Sequence, residues 1–165
     1  MPAFEELFRE SRGQPVIYKG QVIQLSDCLP IASDQRMRIT FESINSDWRQ
    51  GVALDSDGEI QVNGQPPAKK GIALWCRTPP CEFLVRIKSK KGRCFIKNVW
   101  DVGDGVTHSW HNGAAMIVEE TRNGRRYKCN DGRPDEDFND LIFRIELLAP
   151  LSVMSSSRRV RRRNK

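Results

Sequence analysis

The chain has 165 residues, enough for one domain with a buried core, and its 38% hydrophobic and 29% charged residues exclude an extended disordered class. The formal net charge is +6, but residues 158–165 alone carry six positive charges and no negative ones. The rest of the chain is therefore close to neutral, and the net positive charge comes from the tail. No apolar run approaches the roughly 20 residues of a membrane-spanning helix.

The first ten residues have neither the basic start nor the apolar middle of a secretory signal. We therefore expect a cytoplasmic protein, or one that is exported without a recognisable signal peptide. The five cysteines are an odd number, which predicts mostly reduced thiols in the core. A single bridge between Cys76 and Cys81 is an open alternative.

Apolar residues at helical spacing predict a short helix over residues 3–12, within an N-terminal segment placed at 1–14. Residues 15–150 contain about eight to ten short alternating runs separated by turn residues, with almost no further helix. This pattern predicts an all-β domain, an antiparallel β-sandwich or jelly roll. Residues 151–165 form a basic tail that is predicted to be disordered.

Three turn signals predict β-hairpins in this domain. An Asp-Gly pair at 57–58 separates two apolar runs within residues 48–64, and we interpret it as a hairpin turn rather than as part of a calcium loop. A basic turn is expected to join a strand over 81–88 to a returning strand over 94–100. The Asn-Gly pair at 123–124 predicts the third hairpin.

The most distinctive stretch runs from Cys129 to Leu147. Its second half alternates apolar and charged residues and predicts a half-buried strand. Its first half crowds carboxylates and one amide directly before that strand: Asp131, Asp135, Glu136, Asp137, Asn139 and Asp140. Carboxylates at this density repel one another, which favours a bound hard cation such as Ca²⁺. The alternative is an ordinary turn in which Asp and Asn side chains cap backbone amides.

The predicted calcium ligands are the oxygen-bearing side chains of this stretch: Asp131, Asp135, Asp137, Asn139 and Asp140. Asp101 and Asp104 lie in another acidic turn that follows a predicted strand. They could complete the ligand set if the two loops meet.

The segment from Asp135 to Phe143 resembles the D-x-D-[FY]-N-D-[LV]-x-F signature of the final strand in bacterial calcium-associated β-sandwich domains, which often belong to large adhesins. Residues 129–147 are also similar in layout to the C-terminal third of the bacterial galactophilic lectins, where a calcium ion bridges protein and sugar hydroxyls. The resemblance implies a calcium-binding sandwich whose partner is a carbohydrate or a glycosylated surface. The long segment 100–111 and the basic tail depart from it.

Residues 98–113 supply a candidate ligand-binding surface. It combines aromatic faces with polar hydrogen-bonding groups, as sugar-binding sites do. The candidates are His108, Trp110, His111 and Asn112. Trp100 follows an apolar run, and we expect it in the core.

His108 and His111 also have the spacing of a zinc-ligand pair, with Cys94 or Cys129 as a further ligand. Zinc sites usually show a second closely spaced pair, and none is present. No flanking motif supports a Cys–His nucleophile either.

Together these features favour a non-enzymatic, calcium-dependent, lectin-like β-sandwich. One alternative is an assembly module of a bacterial or phage structure, a homo-oligomer or a binder of a protein or acidic partner, which an exposed Trp110 would favour. Another is a glycoside hydrolase, which requires a carboxylate of raised pKa in a deep cleft. Nucleic acid could bind through the basic tail, since the body shows no aromatic and basic ladder in its sequence.

Overall fold

The computed structural model describes residues 4–69 and 71–150. The tail at 151–165 and its predicted disorder lie outside the described residues. One helix, α1, spans Phe4–Glu10. The strands are β1 (Val16–Tyr18), β2 (Gln21–Ile23), β3 (Asp27–Pro30), β4 (Asp34–Ile44), β5 (Arg49–Asp55), β6 (Ile60–Val62), β7 (Ile72–Cys76), β8 (Cys81–Lys88), β9 (Arg93–Asp101), β10 (Ala115–Thr121), β11 (Gly124–Asn130) and β12 (Leu141–Leu148).

Two antiparallel sheets form the body of the fold. Their strand orders are β10-β11-β12-β4-β8-β6 and β3-β9-β5-β7, and β1 and β2 form a separate hairpin. Strand β3 pairs with β9, β4 with β8 and β5 with β7, so this part of the chain is a long antiparallel hairpin folded over on itself. Nested pairing of this kind is the topology of a jelly roll. The predicted antiparallel β-sandwich is confirmed.

The main core lies between the two sheets, because alternate residues of each strand point inward. Met37, Ile39 and Phe41 of β4 are fully buried, and so are Phe143 and Ile145 of β12. Inward residues of the four-stranded sheet complete the same apolar cluster. The alternation in the sequence therefore identified the buried face of both strands.

Two of the three predicted hairpins are wrong. Strand β5 pairs with β7 and β9, whereas β6 pairs with β8 in the other sheet, so the Asp-Gly turn at 57–58 crosses between the sheets. Strands β8 and β9 also belong to different sheets. The Asn-Gly hairpin at 123–124 is confirmed, since β10 pairs with β11 up to that turn.

The short N-terminal helix is confirmed, and it packs on one end of the sandwich. A second apolar cluster joins Phe4 and Phe8 of α1 to Ile23 of β2, Ala115 of β10 and Phe138, which lies just before β12. The N-terminal segment therefore packs against the acidic stretch that precedes the last strand.

A disulfide between Cys76 of β7 and Cys81 of β8 links the two sheets. It is the bridge that the sequence left open. The other three cysteines are free thiols, with Cys94 and Cys129 buried and Cys28 exposed. Among the described residues, no helix has the length and apolar character needed to cross a membrane.

Candidate metal centre

Two loops meet at one end of the six-stranded sheet. Leu141, the first residue of β12, pairs with Cys129 of β11 on one side and with Ile44 of β4 on the other. The acidic loop, which we define as residues 131–140, therefore lies beside the β4–β5 loop at residues 45–48.

Asn130, which is fully buried at the end of β11, fixes the path of the acidic loop. Its Nδ2 donates a hydrogen bond of 2.8 Å to the carbonyl oxygen of Asp135, and its Oδ1 accepts one of 2.7 Å from the main-chain nitrogen of Phe138. Asn98 of β9 donates to the carbonyl oxygen of Asn130 at 2.8 Å. These buried hydrogen bonds hold an irregular backbone in which Phe138 has a φ of 51°.

Asp131 is fully buried, and hydrogen bonds occupy both of its carboxylate oxygens. Oδ2 accepts from the Ser46 hydroxyl at 2.6 Å and from Gln50 Nε2 at 3.1 Å, while Oδ1 accepts from the main-chain nitrogen of Arg133 at 3.0 Å. The Asp131 main-chain nitrogen donates to Oδ2 of Asp140 at 2.9 Å. Asp131, one of the predicted ligands, thus ties the acidic loop to the β4–β5 loop.

Three of the predicted ligands converge. Asp135, Asp137 and Asp140 each place one carboxylate oxygen so that the three atoms lie within 4.8 Å of one another. Asp140 is buried, Asp135 is half-buried and Asp137 is exposed. Arg133 lies in the same loop, but its guanidinium pairs with Asp47 at 3.2 Å. This carboxylate cluster is the candidate metal centre.

Burial and mutual repulsion change the acidity of the carboxylate cluster. Burial is the main cause that raises the pKa of Asp135 to about 6, and a hydrogen bond with Asp137 and its charge add to it. Burial also raises the pKa of Asp140 to about 7, a hydrogen bond from Asp131 opposes this, and the neighbouring carboxylates reinforce it. A free aspartate has a pKa of about 3.9. A bound cation would compete with the protons that these two carboxylates retain.

Among the described residues, three buried oxygens on the acidic loop and on β5 have no hydrogen-bond partner. They are Oδ1 of Asp135, Oδ1 of Asn139 and Oε1 of Gln50. An unpaired buried oxygen costs free energy, which a bound cation can offset. Carboxylate and amide oxygens on an irregular loop are the ligands that Ca²⁺ takes in proteins. Asn139, which is next to Asp140 in the sequence, therefore remains a predicted ligand through its Oδ1.

An open cleft of about 340 Å³ lies over the carboxylate cluster. Its lining residues are Ile44, Asn45, Ser46, Asp47, Arg133, Asp135, Asp137 and Asp140. The Arg133 guanidinium lies 4.9 Å from the centre of the Trp48 ring. Nothing in the sequence indicated the contribution of the β4–β5 loop, because Ser46, Asp47 and Trp48 form no recognisable motif and lie far from the acidic loop along the chain.

Asp101 and Asp104, the two remaining predicted ligands, lie outside the carboxylate cluster. Oδ1 of Asp101 accepts hydrogen bonds from the main-chain nitrogens of Gly103 and Gly105 at 2.8 and 3.2 Å. Oδ1 of Asp104 accepts from the main-chain nitrogen of Val106 at 3.0 Å, which, with the nearby His108 ring, holds the Asp104 pKa below its usual value. Both side chains cap their own turn.

The four predicted ligand-binding residues gather in the β9–β10 loop. The exposed Trp110 ring lies 4.7 Å from the His111 ring, which lies 6.1 Å from the His108 ring. The main-chain nitrogen of Asn112 donates to the Glu5 carboxylate of α1 at 3.0 Å. None of the four lines the cleft over the carboxylate cluster. They form a separate surface at the same end of the sandwich.

Trp100 is buried, as predicted, and supports the acidic loop. A side chain at Gly132 would approach the Trp100 ring to 2.9 Å, so the loop backbone lies directly on that ring. Gly113 is similarly close to the main chain of Arg133, where a side chain would collide with the carbonyl group. The β9–β10 loop therefore contacts the acidic loop through backbone rather than through Asp101 or Asp104.

The structure gives no support to zinc or to a Cys–His nucleophile. Among the described residues, neither His108 nor His111 belongs to a group of three metal-capable side chains. Burial raises the pKa of Cys94 to about 12 and also raises the pKa of Cys129. Both thiols are therefore protonated near neutral pH, whereas a nucleophile must be a thiolate.

Comparison with known proteins gives no match: no protein family, no curated protein and no solved structure aligns with this chain. The chemistry of the site is therefore inferred from its own residues and their geometry.

Proposed function

We propose that the protein binds a calcium ion at Asp135, Asp137 and Asp140, and that the ion and the adjoining cleft bind the hydroxyl groups of a carbohydrate. The observation that carries this proposal is the convergence of three carboxylate oxygens within 4.8 Å. Within residues 4–69 and 71–150, no basic side chain forms an ion pair with any of the three. Convergent carboxylates of this kind repel one another unless protons or a cation neutralise them.

The donor set favours calcium over softer metals. Three carboxylates are hard oxygen ligands, and the unpartnered Oδ1 of Asn139 is an amide oxygen of the same character. Calcium accepts six to eight oxygens, so positions beyond the protein ligands are left for solvent or for a bound hydroxyl pair. Asp137 is the exposed member of the carboxylate cluster and borders the cleft.

The cleft offers the groups that a sugar requires. The Asn45 amide, the Arg133 guanidinium and the Asp47 carboxylate supply both donors and acceptors around its polar wall. Trp48, which stacks under Arg133, adds an aromatic face beside the cleft. A cleft of about 340 Å³ suits one or two sugar rings rather than a long chain.

Thermal unfolding of the metal-stripped protein tests the ion site. Millimolar calcium is expected to raise the Tm by several degrees, because the ion binds the folded state and not the unfolded chain. Asp137→Asn should abolish most of this rise, while the matched control Asp104→Asn, which alters a carboxylate outside the carboxylate cluster, should retain it. No rise in the unaltered protein would overturn the calcium proposal.

A glycan array in calcium or EDTA tests the carbohydrate half separately. We expect binding in calcium only, and Arg133→Ala should weaken it at least about tenfold while the calcium-induced rise in Tm persists. A protein that gains stability with calcium but binds no glycan would leave an ion site that only orders the loop, and would overturn the carbohydrate assignment.

The second candidate is an assembly module, and one observation favours it. Trp110 is 50% exposed, at a φ of 57°, in the β9–β10 loop. Exposed tryptophan is typical of protein interfaces. Trp110→Ser should then dissociate an oligomer measured by light scattering. A hydrolase receives less support, because the raised pKa values occur in an open cleft rather than a deep one.

A further inference from the structure

The two sheets carry charge on their outer faces in different ways. On the six-stranded sheet, basic side chains form ion pairs with neighbouring acids: Arg38 with Glu82 and Glu146, Arg86 with Asp34, Arg126 with Glu42, Lys128 with Glu119, and Arg144 with Glu42. On the four-stranded sheet, Arg49, Arg93 and Lys97 are exposed. Within residues 4–69 and 71–150, none of these three has a carboxylate oxygen within 4.0 Å. In the described part of the chain, the four-stranded sheet therefore presents three exposed cations without an ion-pair partner, whereas most cations of the six-stranded sheet are paired and only Arg36 and Lys88 there are not.

Strand register places small residues at the centre of this basic face. Gly51 of β5 pairs with Trp75 of β7, and Ala53 pairs with Ala73 of β7 on one side and with Lys97 of β9 on the other. Gly51 is buried, because the Trp75 indole lies over it. Around Ala53 and Ala73 the small side chains leave the centre of the sheet low, so a flat ligand can lie there between the larger side chains at the rim.

Two aromatic rings border the low centre, and each has a guanidinium near its face. The Arg49 guanidinium lies 4.7 Å from the centre of the Trp75 ring, and that of Arg93 lies 5.4 Å from the centre of the Phe95 ring. Trp75 packs against Gly51, where a side chain would come within 2.8 Å of the indole. Phe95 is 40% exposed, although it is a large apolar side chain on a sheet face.

We propose that the outer face of the four-stranded sheet binds single-stranded nucleic acid, with Arg49, Arg93 and Lys97 on the phosphates and with bases stacked on Phe95 and on the Arg49–Trp75 pair. Aromatic rings and arginine planes on an open sheet are the means by which proteins bind unpaired bases, and the unpaired cations complement a phosphate backbone. A protein surface of mixed charge would leave the three cations unneutralised. A polyanion would neutralise them, and we therefore prefer nucleic acid to a protein as the partner.

Two carboxylates lie at the edges of this face, and among the described residues neither forms an ion pair with Arg49, Arg93 or Lys97. Asp101 directs Oδ1 to the main-chain nitrogens of its own turn. Asp55 ends β5 beside Gly71, opposite Phe95. The basic face lies on the sheet rather than at the loop end, so its binding should not depend on calcium.

The test is fluorescence anisotropy of the full chain with labelled oligo-dT and oligo-rU of roughly 20 nucleotides, longer than the ~4–16 nucleotides of single-strand sites, in EDTA. The background variant replaces the six basic residues of 158–165 by serine, which removes the tail's own attraction for phosphate. Arg49→Gln with Lys97→Gln should weaken binding about tenfold. It should also reduce the slope of log K against log salt by about 1.4, since each lost phosphate contact accounts for about 0.7.

The matched control is Arg86→Gln with Lys128→Gln, which removes the same charge from the ion-paired sheet and should change affinity less than about twofold. Phe95→Leu should weaken single-strand binding about fivefold or more without changing the salt slope, because stacking is not ionic. The proposal is overturned if both double variants behave alike, if only the tail substitutions matter, or if Phe95→Leu binds normally. Equal affinity for a duplex and for heparin would overturn it as well.

Discussion

The side chain of Asn130 accepts a hydrogen bond of 2.7 Å from the main-chain nitrogen of Phe138 and at the same time donates one to the carbonyl oxygen of Asp135. One buried amide therefore spans most of the acidic loop and sets the distance between its carboxylates. The candidate metal centre depends on this buried residue, which is not itself a ligand.

Asn130→Ala should therefore damage both stability and ion binding. It leaves the main-chain nitrogen of Phe138 without a partner in the interior, which costs about 2–4 kcal/mol when the second lost hydrogen bond is included. Urea unfolding measures the loss, and calcium titration should show weaker binding. The control Asn123→Ala alters an exposed turn residue and should cost less than about 1 kcal/mol. Equal effects of the two substitutions would contradict the role given to Asn130.

Stability should depend on pH, and calcium should offset that dependence. The raised pKa values of Asp135 and Asp140 mean that the folded, metal-free chain holds more protons than the unfolded chain between about pH 4 and pH 7. The free energy of unfolding contributed by these groups therefore falls as pH rises through that window. Calcium competes with the same protons, so its stabilising effect should be small near pH 5 and largest above about pH 7.

Urea unfolding across this pH range, in EDTA and in calcium, gives both curves. Asp140→Asn should flatten the metal-free curve and remove the calcium effect, because the buried amide carries no charge to neutralise. A calcium effect of constant size from about pH 5 to pH 8 would show that these carboxylates are not the ion's ligands.

The N-terminal segment should tune the ion site through Phe138. The ring of Phe4 lies 5.8 Å from the ring of Phe138, and the Tyr18 hydroxyl and Lys19 ammonium of the β1–β2 hairpin bond to Glu136. Phe4→Ala should cost about 3–5 kcal/mol, as buried aromatic truncations do, and should also weaken calcium binding.

Phe8→Ala is the matched control for that substitution. Phe8 is buried in the same apolar cluster but forms no ring pair with Phe138. It should cost a similar amount of stability with less effect on the calcium affinity measured at a temperature where both variants are folded. The same loss of affinity in both would mean that the acidic loop responds only to global stability.

The bridge between Cys76 and Cys81 should stabilise the junction of the sheets modestly. The two residues are five apart, and a loop that short removes about 2 kcal/mol of chain entropy from the unfolded state. Cys76→Ala with Cys81→Ala, measured by urea unfolding against Cys28→Ala, should show a loss of that order only in the double variant. Equal stability of the two proteins would contradict the presence of the bridge.

Local patterns predicted the faces of the strands well but predicted their partners poorly. The alternation of apolar and charged residues over 141–147 correctly predicted that Phe143 is buried, because the period of two is a property of the strand itself. The turn at Asp57 and Gly58 was wrongly predicted to be a hairpin, because its contacts are with residues distant in the sequence. The Asp57 carboxylate accepts hydrogen bonds from the Ser89 hydroxyl and from the main-chain nitrogens of Lys90 and Lys91. A side chain at Gly58 would collide with the carbonyl group of Lys88.

The candidate site was predictable in part, for a similar reason. The carboxylates of Asp135, Asp137 and Asp140 are adjacent in sequence, so their density alone indicated a shared site. The partners of Asp131, the Ser46 hydroxyl and the Gln50 amide, come from another strand connection, and only the pairing of β12 with β4 brings them there. Nothing local to residues 45–50 indicates that role.

Equilibrium dialysis of the metal-stripped protein against labelled calcium at about pH 7.5 measures the ion directly, with Asp137→Asn and Asp140→Asn beside the control Asp104→Asn. A metal centre at these carboxylates predicts one saturable ion per chain in the unaltered protein and in the control. Asp137→Asn and Asp140→Asn should each lower the affinity at least about a hundredfold, since each removes a charged ligand. If the unaltered protein binds no calcium, or if all four proteins bind it equally, the result would contradict a metal centre at these carboxylates.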